Sequence, residues 1–246
     1  MIPQLIAGLP LAAWLVVAAA ALLVGISKTS IGGLGMVAVG LVAVVMPTKD
    51  STGVVLLMLL TGDLVAIWIY RRTVDWRLIG RLMLPVAAGI AIGAVFLTRV
   101  DDLVLRRTIG ILLLGLLVVG LWRDRLPAHG RAMALGYGGL AGFTTMVANA
   151  GGAPMNLYLL AAKYDKWRFL GTGAWFFFTV NAIKLPISVG LGIVRVDTVA
   201  LWATVVPVVL LGTWLGRVVI KRVDQRLFET LVTISVAASA LYLTFV

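Results

Sequence analysis

Cysteine is absent from the 246 residues, and histidine occurs once, as His129. No disulfide framework, thiolate metal site or cysteine nucleophile is therefore available, and a histidine metal cluster is excluded as well. No cofactor is expected. Charge is scarce: 13% of the residues are charged, against about a quarter in a soluble domain. Acids are rarest, at ten against 21 Lys and Arg. Long polar stretches are missing too. The longest, "RDRLPAHGR" at 123–131, is too short to fold alone, so 1–246 reads as a single membrane domain. No Lys or Arg precedes the first apolar run in "MIPQLIAGLPLAAWLVV". A secretory signal peptide begins with a basic region, so residues 9–24 read as a mature segment.

What is present is apolar residue. The chain is 61% hydrophobic with a mean hydropathy of +1.08, the signature of an all-α polytopic membrane protein. Its net charge of +11 follows from the positive-inside bias of membrane loops and implies no nucleic acid partner. Ten apolar segments can be marked, near 9–26, 36–46, 51–70, 78–97, 106–122, 132–147, 155–162, 169–193, 198–218 and 227–245. Eight are long enough to span a hydrocarbon core about 30 Å thick at about 1.5 Å of rise per residue. The second and seventh are too short, and each follows a glycine-rich break, "SKTSIGGLG" and "ANAGGAP".

That parallel extends into an internal repeat, 9–122 and 132–245. Asp75 and Asp197 lie 122 apart, each after a valine, and Pro85 and Pro207 share that offset. Gly89 and Gly212, Gly93 and Gly216, and the pairs Val100-Asp101 and Val223-Asp224 lie 123 apart. Gly32-Gly33 recurs as Gly151-Gly152 after 119. Each half holds five segments, and an odd number turns the second half upside down. The expectation is two inverted-topology repeats, with eight long transmembrane helices and two short broken or re-entrant ones.

The charges favour this parity. With both termini on the outer face, Lys49, Arg99, Arg106, Arg107 and Arg195 fall outside, and fourteen other loop Lys and Arg fall inside. Fusing each short segment into its predecessor splits the same residues only 11 against 8. Segments 1–2 and 6–7 can also be hairpins that return to their own side without changing the parity. Their tips are then expected to meet near mid-bilayer.

Broken backbone is costly in hydrocarbon unless it lines a cavity, and two matched breaks point to a transport site. Each short helix begins there with free N–H groups and a positive end, which favours an anion. The first tip carries Lys28 with Ser27, Thr29 and Ser30, then Gly32 and Gly33; the second carries Asn149, Gly151 and Gly152, with Thr144 and Thr145 one turn before. Segment 8, "GTGAWFFFTVNAIKLPISVG", adds Thr172 and places Asn181 and Lys184 on one helical face. Asp63 is the one acid at membrane depth, so two lysines leave one positive charge for a bound anion. The plainer readings stand beside these. Either lysine can snorkel to an interface. Asp63 can be a structural bridge or a carrier of a coupling proton. Trp175 and Phe176–Phe178 read as packing, and the two Gly-x3-Gly pairs as helix contacts.

The glycine-rich break, its mid-chain repetition and the aspartates after segments 3 and 8 resemble the TauE/SafE sulfite exporter family. The stretch "MVANAGGAPMNLYLLAAKYDKWRFLGTGAWFFFTVNAIKLP", 146–186, is the nearest part, and the resemblance runs over about 10–245. Where the family often has GxGGG at the tips, this chain has Gly32-Gly33-Leu34-Gly35 and Gly151-Gly152-Ala153-Pro154. The resemblance implies a secondary carrier of sulfite, organosulfonates or related small anions in a bacterial inner membrane. Alternating access would then act on a substrate bound between the tips by Lys28, Thr29, Ser30, Gly32, Gly33, Asn149, Gly151, Gly152, Thr172, Asn181 and Lys184, with Asp63 pairing or coupling. A passive anion pore and a carrier of carboxylates stay open. An enzyme is not expected, since no Ser-His pair, HExxH or paired intramembrane carboxylates occur. The expected partners are the small anion and the bilayer, and a homodimer is left open.

Overall fold

The computed structural model describes residues 10–30, 34–100, 111 and 131–234. Gly32, Gly33, His129, most of the segment expected at 106–122 and the end of that expected at 227–245 lie outside these residues. Among the described residues every regular element is a helix: α1 (Leu11–Thr29), α2 (Leu34–Val45), α3 (Thr48–Tyr70), α4 (Trp76–Leu97), α5 (Arg131–Ala148), α6 (Gly152–Ala161), α7 (Lys166–Gly190) and α8 (Val196–Arg222). A further helical stretch covers 225–234. Among the described residues, four helical spans are long and apolar enough to cross a membrane: Leu11–Thr29, Asp50–Tyr70, Trp76–Leu97 and Val196–Arg222.

The helix boundaries follow local chemistry. Asp75 caps α4 by accepting from the Leu78 N–H at 3.0 Å, and Asp165 caps α7 by accepting from Trp167 and Arg168 at 3.0 and 3.1 Å. Beyond α7 the chain reverses through Gly192 at φ +68°, and the Ile193 and Val194 N–H groups return to the Ser188 carbonyl. One boundary departs from the sequence reading. The first segment was expected to end near 26 and the break to cover 27–35, but α1 continues to Thr29. Gly25 is helical because it forms a close crossing. A Cβ there would lie 2.2 Å from the Val209 carbonyl oxygen on α8.

Two helix pairs are built on such crossings. In α1–α8, Gly212 faces the Leu22 carbonyl and Gly216 faces Ile26 and Thr29. In α4–α5, a Cβ on Gly89 would meet the Gly139 carbonyl at 2.1 Å, and one on Gly142 the Val86 carbonyl at 2.1 Å. Both pairs run parallel, since their contacts advance together along the two chains. Missing side chains let the backbones approach, which is how helices gain packing where lipid competes for apolar surface.

Between them, α3 and α7 run antiparallel. Gly53 at the start of α3 abuts the Ile193 carbonyl, and Tyr70 at its end abuts Gly171 and the Trp167 ring. Apolar cores flank this central pair. One draws Val17, Ala20, Val42, Met58, Leu201 and Val209 from α1, α2, α3 and α8. The other draws mainly on α4–α7, including Leu82, Val86, Ile90, Met146, Leu159 and Phe176. The outward faces expose Leu15, Leu84, Ile92, Leu210 and Trp214, large apolar side chains suited to lipid.

Candidate anion site between the helix breaks

At the first break, α1 ends with Lys28 in its last turn. The orphan carbonyls of a helix end need donors. Tyr70 Oη supplies Thr29 O at 2.6 Å, and Ser30 Oγ supplies Ile26 O at 2.6 Å. Ser27 Oγ accepts from the Gly35 N–H of α2 at 2.9 Å, tying the start of the short helix back to α1.

At the second break, α5 ends at Ala148 and Asn149 adopts φ +53°, the left-handed conformation asparagine tolerates at a helix C-terminus. The Asn149 and Ala150 N–H groups bond back to Thr145 and Thr144 at 3.0 and 3.1 Å. α6 restarts at Gly152.

The breaks bond to opposite ends of α3. Thr29 takes the Tyr70 hydroxyl, while Asn149 Nδ2 donates to Thr52 O at 3.1 Å. The expected tip-to-tip meeting is therefore an overlap along α3, since each tip runs on to a partner at the far end of that helix. A single cavity of about 60 Å³ borders both breaks. Ser27 and Lys28 line it from α1, Gly35 from α2, Asp63 from α3, Thr145 from α5, Gly152 and Asn156 from α6, and Phe177 and Asn181 from α7, with Asn149 at the break itself.

Charge at this cavity is arranged in two groups. Lys28 Nζ lies 2.6 Å from Asp63 Oδ1, and Asp63 is fully buried. Gly62 makes room for the lysine stem, since a Cβ there would fall 2.8 Å from Lys28 Cγ. Asn181 Nδ2 donates to Asp63 Oδ2 at 2.7 Å, and the Phe177 ring lies 4.8 Å from Lys28 Nζ, giving a cation–π contact. Lys184 forms the second group. It is 1% exposed and donates to Asn149 Oδ1 at 2.5 Å and Thr145 Oγ1 at 3.3 Å, both neutral. Both lysines end on side-chain partners within the protein.

The expected residues thus divide. Lys28, Asp63, Asn149, Gly152 and Asn181 share the cavity wall. Lys184 stands behind Asn149 and Thr145 rather than on the wall. Thr29 turns away, donating to Thr213 O at 2.8 Å on α8. Ser30 bonds its own helix. Thr172 is buried at the far end of α7, where it accepts from the Asp75 N–H at 3.0 Å. Gly151 packs against α5, where a Cβ added to it would lie 2.7 Å from Thr145 Cβ. Gly32 and Gly33 lie outside the described residues. Sequence reasoning missed Asn156, although its signal was available: it is the one amide side chain in the otherwise apolar helix "GAPMNLYLLA". It also read Phe177 as packing only, because a ring facing a cation looks like any other phenylalanine in a run of three.

At the helix ends, two ion pairs are formed among the described residues. Asp75 accepts from Tyr164 Oη at 2.6 Å and Arg168 Nη2 at 2.7 Å. Burial pushes the Asp75 carboxyl up, but the bonds from Tyr164, the Leu78 N–H and Arg168 outweigh it and hold the group below the usual carboxylate range. Burial and the Asp75 bond push the Tyr164 hydroxyl up. At the other end, Arg195, before α8, pairs with Asp50 in the first turn of α3.

Residues 17–243 match the family model described as Sulfite exporter TauE/SafE. The chain belongs to the TauE/SafE family. TauE/SafE proteins are transporters and not enzymes, so this is a multi-pass membrane transporter of sulfite-type anions. No curated protein and no solved structure matches the chain. At the second break Lys184 contacts the oxygens of Asn149 and Thr145.

Proposed function

We propose that this protein is a carrier that moves a small sulfur oxyanion by alternating access, with the anion held in the cavity between the two helix breaks. One observation carries the reading. The starts of both short helices border the same cavity, beside two lysines that have one carboxylate between them. Lys28 contacts the anion directly, while Asn149, oriented by Lys184, and Gly152 with the N-terminus of α6 complete the binding wall. The size of the cavity supports a small anion in this conformation. Its 60 Å³ is less than half the ~150 Å³ that accommodates a benzene ring.

Two inverted five-segment halves supply the moving parts of this reading. Gly89 and Gly93 in α4 do for α5 what Gly212 and Gly216 in α8 do for α1, at a constant offset. The two end pairs also correspond, with their charges exchanged: Asp75 with Arg168, and Arg195 with Asp50. The antiparallel α3–α7 pair would lie on the pseudo-two-fold axis, and the arginine-rich loops around Arg71, Arg168 and Arg217 would face the cytoplasm.

Reconstitution in proteoliposomes tests this. Lys184→Gln should reduce sulfite flux on the order of 100-fold or more while the protein stays folded. The paired change Lys28→Gln with Asp63→Asn, which removes both charges together, should do the same. Unchanged flux in both variants overturns the site. Sulfite on the far side of the membrane should accelerate uptake, and the absence of this trans-stimulation would identify a pore instead.

A further inference from the structure

Asn156 on α6 is 1% exposed, and neither Oδ1 nor Nδ2 of its amide has a hydrogen-bond partner. It lines the cavity. Buried amides are bonded as a rule, because an unpaired one has lost water and gained nothing. The other cavity amides are committed. Asn149 accepts from Lys184 and donates to Thr52, and Asn181 donates to Asp63. Asn156 therefore brings an unpaired donor group and an unpaired acceptor to the residues that line the cavity.

The charges around it restrict the ligand further. Asp63 cancels Lys28, and Lys184 has only the neutral oxygens of Asn149 and Thr145. One negative charge balances the group, whereas a dianion leaves an excess of negative charge at a desolvated site. A ligand that satisfies the amide must both accept and donate, and one that satisfies the charge must be a monoanion. An oxyanion that retains a proton meets both conditions.

We propose that Asn156 is a substrate-contacting, specificity-determining residue that selects a hydroxyl-bearing monoanion, hydrogensulfite in the sulfite series. Nδ2 donates to an anion oxygen, and Oδ1 accepts the anion's own O–H. This rests on the reading of the cavity as the transport site. Sulfite then travels as its protonated form, and the proton crosses with the cargo without a separate carrier group.

Initial rates in proteoliposomes test this across the pH range in which hydrogensulfite loses its proton. In the wild type, KM should stay constant when expressed as hydrogensulfite and rise with pH when expressed as total sulfite. Nitrate, an oxyanion of similar size with no O–H, should compete about 10- to 100-fold less well. Asn156→Leu, close in volume and apolar, should raise the hydrogensulfite KM by about 10- to 100-fold and bring the nitrate ratio close to one. Asn156→Ser, which keeps a hydroxyl able to donate and accept, should recover part of the preference; it serves as the test if the leucine variant does not fold. A leucine or serine variant with wild-type KM and undiminished preference overturns the proposal, as does a KM that follows the dianion. Wild-type flux in the lysine variants above would instead overturn the site itself, so the two failures are distinguishable.

Discussion

The two helix breaks border one cavity but handle charge in opposite ways. At the first, the cation Lys28 is on the cavity wall, and its counter-charge Asp63 is 2.6 Å away on α3. At the second, the wall is neutral, and the cation Lys184 sits one layer back, spread over Asn149 and Thr145. The backbone devices are similar, a helix end with its carbonyls satisfied and a short helix restarting. The side chains have diverged. One cation is paired with a carboxylate, and the other contacts only neutral oxygens; on the proposed reading that second cation is the one an anion would balance.

The largest expected effect separates these two cations. Lys28→Gln leaves Asp63 buried and unpaired, which should cost about 3–5 kcal/mol. Adding Asp63→Asn should restore most of that stability in thermal unfolding in detergent. Lys184→Gln breaks no ion pair and should shift the unfolding midpoint far less. Equal losses in the two single variants would break the comparison.

The next effect compares the glycine crossings. Gly25→Ala and Gly89→Ala place a Cβ 2.2 and 2.1 Å from facing carbonyl oxygens. Each should cost about 1–3 kcal/mol by forcing the helices apart. A loss confined to one of them would show that the two pairs do different work.

The smallest effect lies at the helix ends. Asp75→Asn and Asp50→Asn should each cost up to about 1 kcal/mol, since both arginine partners are half exposed. The Asp75 carboxyl is held below its ordinary range, so its contribution is complete above that range and is lost as the pH falls through it. Asp75→Asn should therefore flatten the acid limb of the unfolding profile. An acid limb as steep as the wild type's would assign it to other carboxylates.

Much of this arrangement was legible in the sequence. The breaks, the offset glycines and the two deep lysines follow from hydropathy and spacing. Which lysine met Asp63 did not, because pairing across α1, α3 and α7 depends on where Gly62 opens a path. The close crossing at Gly25 was not legible for a similar reason, since its contact is with a residue on α8, far along the chain. Thr29 read as a ligand because a hydroxyl near a break looks the same whether it faces a cavity or a neighbouring carbonyl, and Thr172 because it shares a segment with Asn181 and Lys184. Asn156 was passed over because a lone amide in an apolar helix becomes informative only when its lack of a partner is visible.

The most direct test of the central claim is to locate the anion. Crystals of the wild-type protein grown with selenite, a heavier analogue of sulfite, should show one anomalous peak between the breaks, within hydrogen-bonding reach of Lys28 Nζ and the Asn156 amide, and Lys184→Gln should lose it. A peak confined to the arginine-rich loop end, or one at the breaks that persists unchanged in Lys184→Gln, would contradict the account.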